Sequence, residues 1–203
     1  KVPGPLDQWA VDLVALTAHK AYGPKGIGAL YVRPGTKLVP LLHGGQQEGG
    51  VRPGTLATHQ IVGMGQAYEL ADAEREAPAL AALRDRLWAG LSAIEGVRLN
   101  GHPTQRSPHV LNVAFPGVDG ESLRLGIAEI AVSAGAACNS TAAEASHVLS
   151  ALGLSDALAG SSQRFSVGRF TDAAEIDYVI ERVTAEVARL RELAGGAPAW
   201  CAT

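Results

Sequence analysis

Apolar and polar positions follow two different rhythms along this chain. Val11 to Leu16 and Ile27 to Val32 are short, mostly apolar runs bounded by turn residues, the pattern of buried strands. A polar His19-Lys20 pair and the Gly23-Pro24-Lys25-Gly26 turn separate them. Pro3 to Pro5 reads as loop, Asp7 to Ala10 as a short helical turn, Pro34-Gly35 as a turn, and Leu38 to Leu42 as a short apolar piece of undefined type. His43 to Thr58 is a polar, glycine-rich loop of a length that is usually functional or disordered. The rhythm then becomes helical. A helix is expected from about Ala57 with Ile61, Met64 and Tyr68 near one face, kinked or restarted at Pro78. Leu80, Leu83, Leu87, Leu91 and Ile94 then recur at three- and four-residue spacing as a buried stripe, ended by Glu95-Gly96.

Beyond that point strand and helix patterns alternate. Val97 to Leu99, Val110 to Phe115, Ile130 to Ser133 and Arg164 to Val167 read as strands, and Gly120 to Ile127 and Ala145 to Leu152 as short helices. A last helix is capped by Thr171 or Asp172, has Glu175 in its first turn, and carries Ile176, Val179, Ile180, Val183, Val187 and Leu190 on its apolar face. The pattern predicts an α/β chain: two strands with a long loop and linking helices over residues 1–95, then a small α+β domain over 96–203.

Composition narrows the function classes. The 203 residues are 47% hydrophobic and only 5% aromatic, with many Ala and Gly, which suits close-packed helices and tight turns. A net charge of −3 without a basic run argues against a nucleic-acid surface, and no apolar stretch has the length of a membrane span. The two cysteines, Cys138 and Cys201, form no disulfide framework, so a reducing, cytoplasmic setting is expected. The six histidines show no metal-ligand spacing, and no metal site is expected.

Four stretches carry candidate chemistry. Lys20 stands where a strand ends, and a lysine fixed there forms an imine with a carbonyl group once its surroundings help it lose a proton. Cys138 lies in Gly135-Ala136-Ala137-Cys138-Asn139-Ser140-Thr141, among residues too small to bury it well, which suits a thiol that must move. Arg164 opens the last strand, with Arg169 its rival by spacing; a guanidinium forks onto a carboxylate in a way an ammonium does not. Arg52-Pro53-Gly54-Thr55 ends the glycine-rich loop, whose Gly and Thr residues suit an anion. Lys25 and Cys201 receive no role, and Asn112 reads as a hydrogen-bonded strand asparagine.

The run Ala18-His19-Lys20-Ala21-Tyr22-Gly23-Pro24-Lys25-Gly26-Ile27-Gly28 resembles the cofactor-lysine segment of the cysteine desulfurases, pyridoxal-phosphate (PLP) enzymes of the class V aminotransferase group. Val132 to Thr141, with Ser146-His147-Val148-Leu149 downstream, resembles their active-cysteine loop, and Gln163 to Phe170 their substrate-arginine strand. The resemblance runs along nearly the whole chain, with its motifs in the family's order. It implies a PLP-dependent transferase fold represented by its C-terminal half. It implies Lys20 as the Schiff-base lysine, Thr17 and His19 on the cofactor phosphate, and Thr55 reaching across a homodimer interface to the partner's phosphate. It further implies Arg164 on the substrate carboxylate and Cys138 as the thiol that takes sulfur from L-cysteine, leaving alanine. The sulfur then passes to an acceptor such as an iron–sulfur scaffold or a tRNA-thiolation protein. Ala136 and Pro53 stand where the family commonly has serine. The family's ring-stacking histidine and pyridine-pairing aspartate have no counterpart here, so the chain alone is expected to bind PLP poorly. A selenocysteine lyase or a class V aminotransferase is the nearest alternative, with Cys138 speaking against the transaminase. A non-catalytic docking module is the other.

Overall fold

The computed structural model describes residues 8–134 and 146–195, which fall into two compact units dividing between Ala73 and Glu74. This division precedes the boundary that the sequence pattern places at residue 95. The reason is that the leucine stripe of the intervening helix packs into the core of the second unit.

In the first unit β1 (Leu13–Thr17) and β2 (Gly28–Val32) form a two-stranded antiparallel sheet, in register from Leu13 opposite Val32 to Thr17 opposite Gly28. Gly28 is required there: a Cβ would stand 2.6 Å from the Leu16 carbonyl oxygen. The runs expected to be buried are not. Leu13 is 45% and Leu30 51% exposed, because no further strand joins this sheet among the described residues. Residues 38–42 adopt no regular structure, and Val39, Leu41 and Leu42 are exposed. The glycine-rich loop contains a short 3-10 turn at Gln47–Gly50 and leads into α1 (Thr58–Glu69). The inward face of α1 differs from the expected one: Met64 and Ala67 are buried, whereas Ile61 and Tyr68 are exposed.

The second unit is built on α2 (Ala73–Leu91), β3 (Arg98–Leu99), β4 (Val110–Ala114), α3 (Gly120–Gly126), α4 (His147–Ala151), α5 (Asp156–Gly160), β5 (Ser162–Ser166) and α6 (Ala173–Leu193). The chain breaks at residues 70–72, not at Pro78, which lies inside α2 and forfeits one backbone hydrogen bond there rather than the helix. The sheet has the order β3-β4-β5 and is antiparallel, with Asn112 opposite Arg164. Residues 130–133, expected as a strand, supply only an isolated bridge between Ser133 and Arg164. The helix α5 had no clear signal in the apolar pattern. Its core joins Leu80, Leu87 and Leu91 of α2 to Leu111, Val113 and Phe115, to Leu123 and Ile127, to Phe165, and to Ile176, Val183 and Val187 of α6. Phe115 and Phe165 meet edge to face with centroids 6.5 Å apart.

Several polar residues inside this unit are paired, whereas the buried Gln163 Oε1 has no hydrogen-bond partner among the described residues. Arg84 is buried in the α2 stripe and donates to the Ser107 carbonyl at 2.8 Å. Asn100 donates to Asn112 Oδ1 at 2.6 Å and to Ser162 Oγ at 2.9 Å, which accounts for the lone strand asparagine. The Arg189 guanidinium holds the Glu186 carboxyl below its ordinary range, against the opposing effect of burial. Of the two expected caps for α6, Asp172 is the one used. It accepts from the Glu175 amide at 2.9 Å while the Glu175 side chain accepts from the Asp172 amide at 3.1 Å. Replacing Asp172 by Ala is expected to lower stability by about 1 kcal/mol, measured by denaturant unfolding, because the Glu175 amide at the helix end loses its acceptor.

Candidate functional site

The first unit presents its chemistry at the end of β1. Beyond Thr17 the backbone closes a 3-10 turn over Ala18–Lys20, then reverses through Gly23–Gly26 into β2. Ala18 is fully buried; its carbonyl accepts the amides of Ala21 at 2.8 Å and Gly23 at 2.9 Å, and its own amide donates to Ile27 at 3.2 Å. With the backbone pinned at Ala18, the next two side chains, His19 and Lys20, stand exposed. Thr17 Oγ1 and His19 Nδ1 are hydrogen-bonded at 2.9 Å, which occupies Nδ1 and leaves Nε2 for another partner. A hydroxyl, an imidazole and a primary amine therefore sit together at one strand end. That donor set fits a phosphorylated aldehyde: two neutral-to-cationic groups for an anion and an amine for a carbonyl.

Thr55 belongs to the same unit, at the end of the glycine-rich loop. The loop is braced there from within, since the Gly54 amide donates to Gln47 Oε1 at 3.1 Å and Arg52 Nη1 donates to the Gly54 carbonyl at 3.1 Å. Gly54 has φ +99°, a conformation that favours glycine immediately before the threonine. Among the described residues no hydrogen bond joins Thr55 to Thr17, His19 or Lys20.

Arg164 lies in the second unit, half-buried on β5. Its backbone pairs on one side with Asn112 and on the other with Ser133, through Arg164 N–H to Ser133 O at 2.7 Å and Ser133 N–H to Arg164 O at 3.2 Å. Ser133 lies five residues before Cys138 in the sequence, and its backbone pairs with Arg164. Cys138 itself lies outside the described residues, as does Cys201. The rival arginine is otherwise engaged: Arg169 Nε donates to Glu76 Oε1 at 2.6 Å, and both side chains are largely buried. An apolar cavity of about 580 Å³ opens beside β5, lined by Leu87, Ile130, Val132, Phe165 and Val179, with Arg164 absent from its wall.

Gln60 and Tyr68 contact the lysine turn through main-chain carbonyls, a role outside the expected helix face that holds Tyr68. Gln60 Nε2 donates to the Lys25 carbonyl at 3.0 Å, and the Tyr68 hydroxyl donates to the Thr17 carbonyl at 3.3 Å. No helix among the described residues is long and apolar enough to cross a membrane, and no group of His, Cys, Asp or Glu among them is suited to a metal ion.

Residues 1–179 match the family model described as aminotransferase class-V. The chain is 53% identical over 204 aligned residues to a cysteine desulfurase IscS of Pectobacterium carotovorum subsp. carotovorum (strain PC1), covering 98% of this chain and 50% of that protein. A solved structure of a NifS-like protein superposes with a TM-score of 0.84 at 32% identity, covering 94% of this chain and 50% of the other. SspA in complex with cysteine superposes with a TM-score of 0.61 at 35% identity, covering 80% and 45%. The chain thus spans about half the length of the curated relatives it matches.

Proposed function

The chain belongs to the class-V aminotransferase family, and from that premise we propose that it is the C-terminal half of a PLP-dependent cysteine desulfurase. The observation that carries this reading is the grouping of Thr17, His19 and Lys20 at the end of β1, with a hydroxyl and an imidazole joined at 2.9 Å beside an exposed primary amine. When bound, pyridoxal phosphate supplies an aldehyde for an amine and an electron sink for the substrate α-carbon. Lys20 would hold the cofactor through its Nζ and would serve as the base that accepts the substrate Cα proton. Thr17 Oγ1 and His19 Nε2 bind the phosphate, and Thr55 serves the phosphate of a second subunit, so the working form is a homodimer. Arg164 orients the substrate carboxylate through a forked pair of N–H donors.

Cys138, as thiolate, attacks the sulfur of L-cysteine. An S–S bond forms as the substrate C–S bond breaks, its electron pair goes to Cβ, and protonation of Cβ together with return of a proton to Cα completes alanine. The sulfur remains on Cys138 as a persulfide, which an acceptor protein of iron–sulfur cluster assembly or tRNA thiolation removes. The cysteine-bound state of SspA supports L-cysteine as the substrate. The pairing of Ser133 with Arg164 supports a shared site for the thiol loop and the carboxylate reader. The exposed apolar faces of β1 and β2 support a larger sheet contributed by the half of the relatives that this chain does not match. The setting we assign is the cytoplasm.

The test is product analysis with the full-length protein, PLP and L-cysteine. Alanine and protein-bound sulfane sulfur are expected in equal amounts. Amino transfer to a keto acid without sulfur release would identify a transaminase, and activity confined to L-selenocysteine a selenocysteine lyase.

A further inference from the structure

Helix α1 follows the lysine turn contact by contact along one face. Gln60 meets the Lys25 carbonyl, Gly63 lies so close to Pro24 that a Cβ would stand 3.1 Å from its Cγ, and Ala67 packs where a Cβ on Gly23 would come within 3.0 Å. Tyr68 then reaches the Thr17 carbonyl at the far end. The two polar contacts thus grip the turn at its two limits, one before and one after Lys20, and the residues between are small enough for the backbones to approach.

The turn they grip is not a relaxed one. Tyr22 has φ +64°, a left-handed conformation that a side-chain-bearing residue keeps only when its surroundings impose it. Neither Gln60 nor Tyr68 is buried, and both side chains spend their polar groups on main-chain carbonyls of the turn rather than on solvent alone. A carbonyl held at Thr17 fixes the residue whose hydroxyl binds His19, and through the 3-10 turn it fixes the Cα from which Lys20 projects.

We propose that Tyr68 and Gln60 are positioning residues for Lys20, acting through the main-chain carbonyls of Thr17 and Lys25 to set the direction of its amine. The proposal rests on the reading of Lys20 as the cofactor lysine. It concerns orientation, so its signature is a change in how the bound cofactor is held and in the rate of the chemical step, not in substrate affinity.

The experiment uses the PLP-loaded full-length protein carrying Tyr68→Phe and Gln60→Met together, changes that remove both donors and retain most of the side-chain volume. Visible-region circular dichroism of the bound cofactor is expected to lose amplitude, and kcat for L-cysteine to fall about tenfold with KM unchanged. Met64→Ala loosens the same helix without touching either hydrogen bond and is expected to leave the dichroism as it is. Unchanged dichroism and kcat in the double variant would overturn the proposal, as would an equal change in Met64→Ala. Borohydride reduction of the wild-type protein separates the two levels: a tag on some other lysine defeats the reading of Lys20, whereas a tag on Lys20 with an unaffected double variant defeats only the positioning role.

Discussion

Lys20→Ala in the full-length protein is expected to abolish the visible absorbance of the bound cofactor and to lower turnover of L-cysteine by about a thousandfold or more. Two functions are lost with one amine: the covalent tether and the base for the Cα proton. The loss is specific because the fold does not need this side chain. Lys20 is exposed, and the turn around it is fixed by main-chain bonds at Ala18 and by packing on α1. The variant therefore retains its thermal midpoint, and a coincident loss of structure would point to a structural lysine instead. Retained visible absorbance in Lys20→Ala would place the cofactor on another amine.

Cys138→Ala is expected to separate cofactor chemistry from sulfur capture. Visible absorbance stays, since Lys20 is untouched, while sulfane sulfur on the protein disappears and alanine formation from L-cysteine falls below about one percent of the wild-type rate. The thiolate is the only group in this account that accepts the substrate sulfur, so without it the C–S bond has no partner for its leaving atom. Full alanine production by the variant would remove Cys138 from the mechanism and favour the transaminase or selenocysteine lyase alternatives. The two variants together thus assign the two halves of the reaction to two residues.

The lysine turn was legible in the sequence because its determinants are local. An apolar run ends at Thr17, a polar pair follows, and Gly23-Pro24 reverses the chain, so residue types alone dictate where the amine is presented. The same holds for α6, whose start is written in Asp172 and Glu175 and whose inward face is written in its spacing of Ile and Val. What the pattern missed depends on partners distant in the chain. Ile130 to Ser133 has strand-like residues, yet a strand needs a neighbour along its length, and β5 meets it only at Arg164. The inward face of α1 was misread for a related reason. Large apolar residues normally mark a buried face, but here small residues lie against the Gly-Pro turn: Gly63 meets Pro24 and Ala67 meets Gly23, Met64 is buried with them, and Ile61 faces out. Arg84 broke the rule from the other side: a charged residue inside the leucine stripe is tolerated because Ser107 and Asp85 satisfy it.

The site was legible only in part. Nothing in the residue types distinguishes Arg164 from Arg169, and composition alone would not choose between them. The structure pairs Arg169 with the Glu76 carboxylate, a contact that a reader of the linear chain has no means to see. The contacts of Gln60 and Tyr68 with the turn were not legible because their partners are main-chain carbonyls, which carry no residue-type signature at all.

The most direct test of the account is the site of covalent attachment. Borohydride reduction of the PLP-loaded full-length protein, followed by digestion and peptide mass analysis, is predicted to place the phosphopyridoxyl group on Lys20. Its recovery on Lys25, on Lys37 or on a lysine elsewhere in the protein would contradict it.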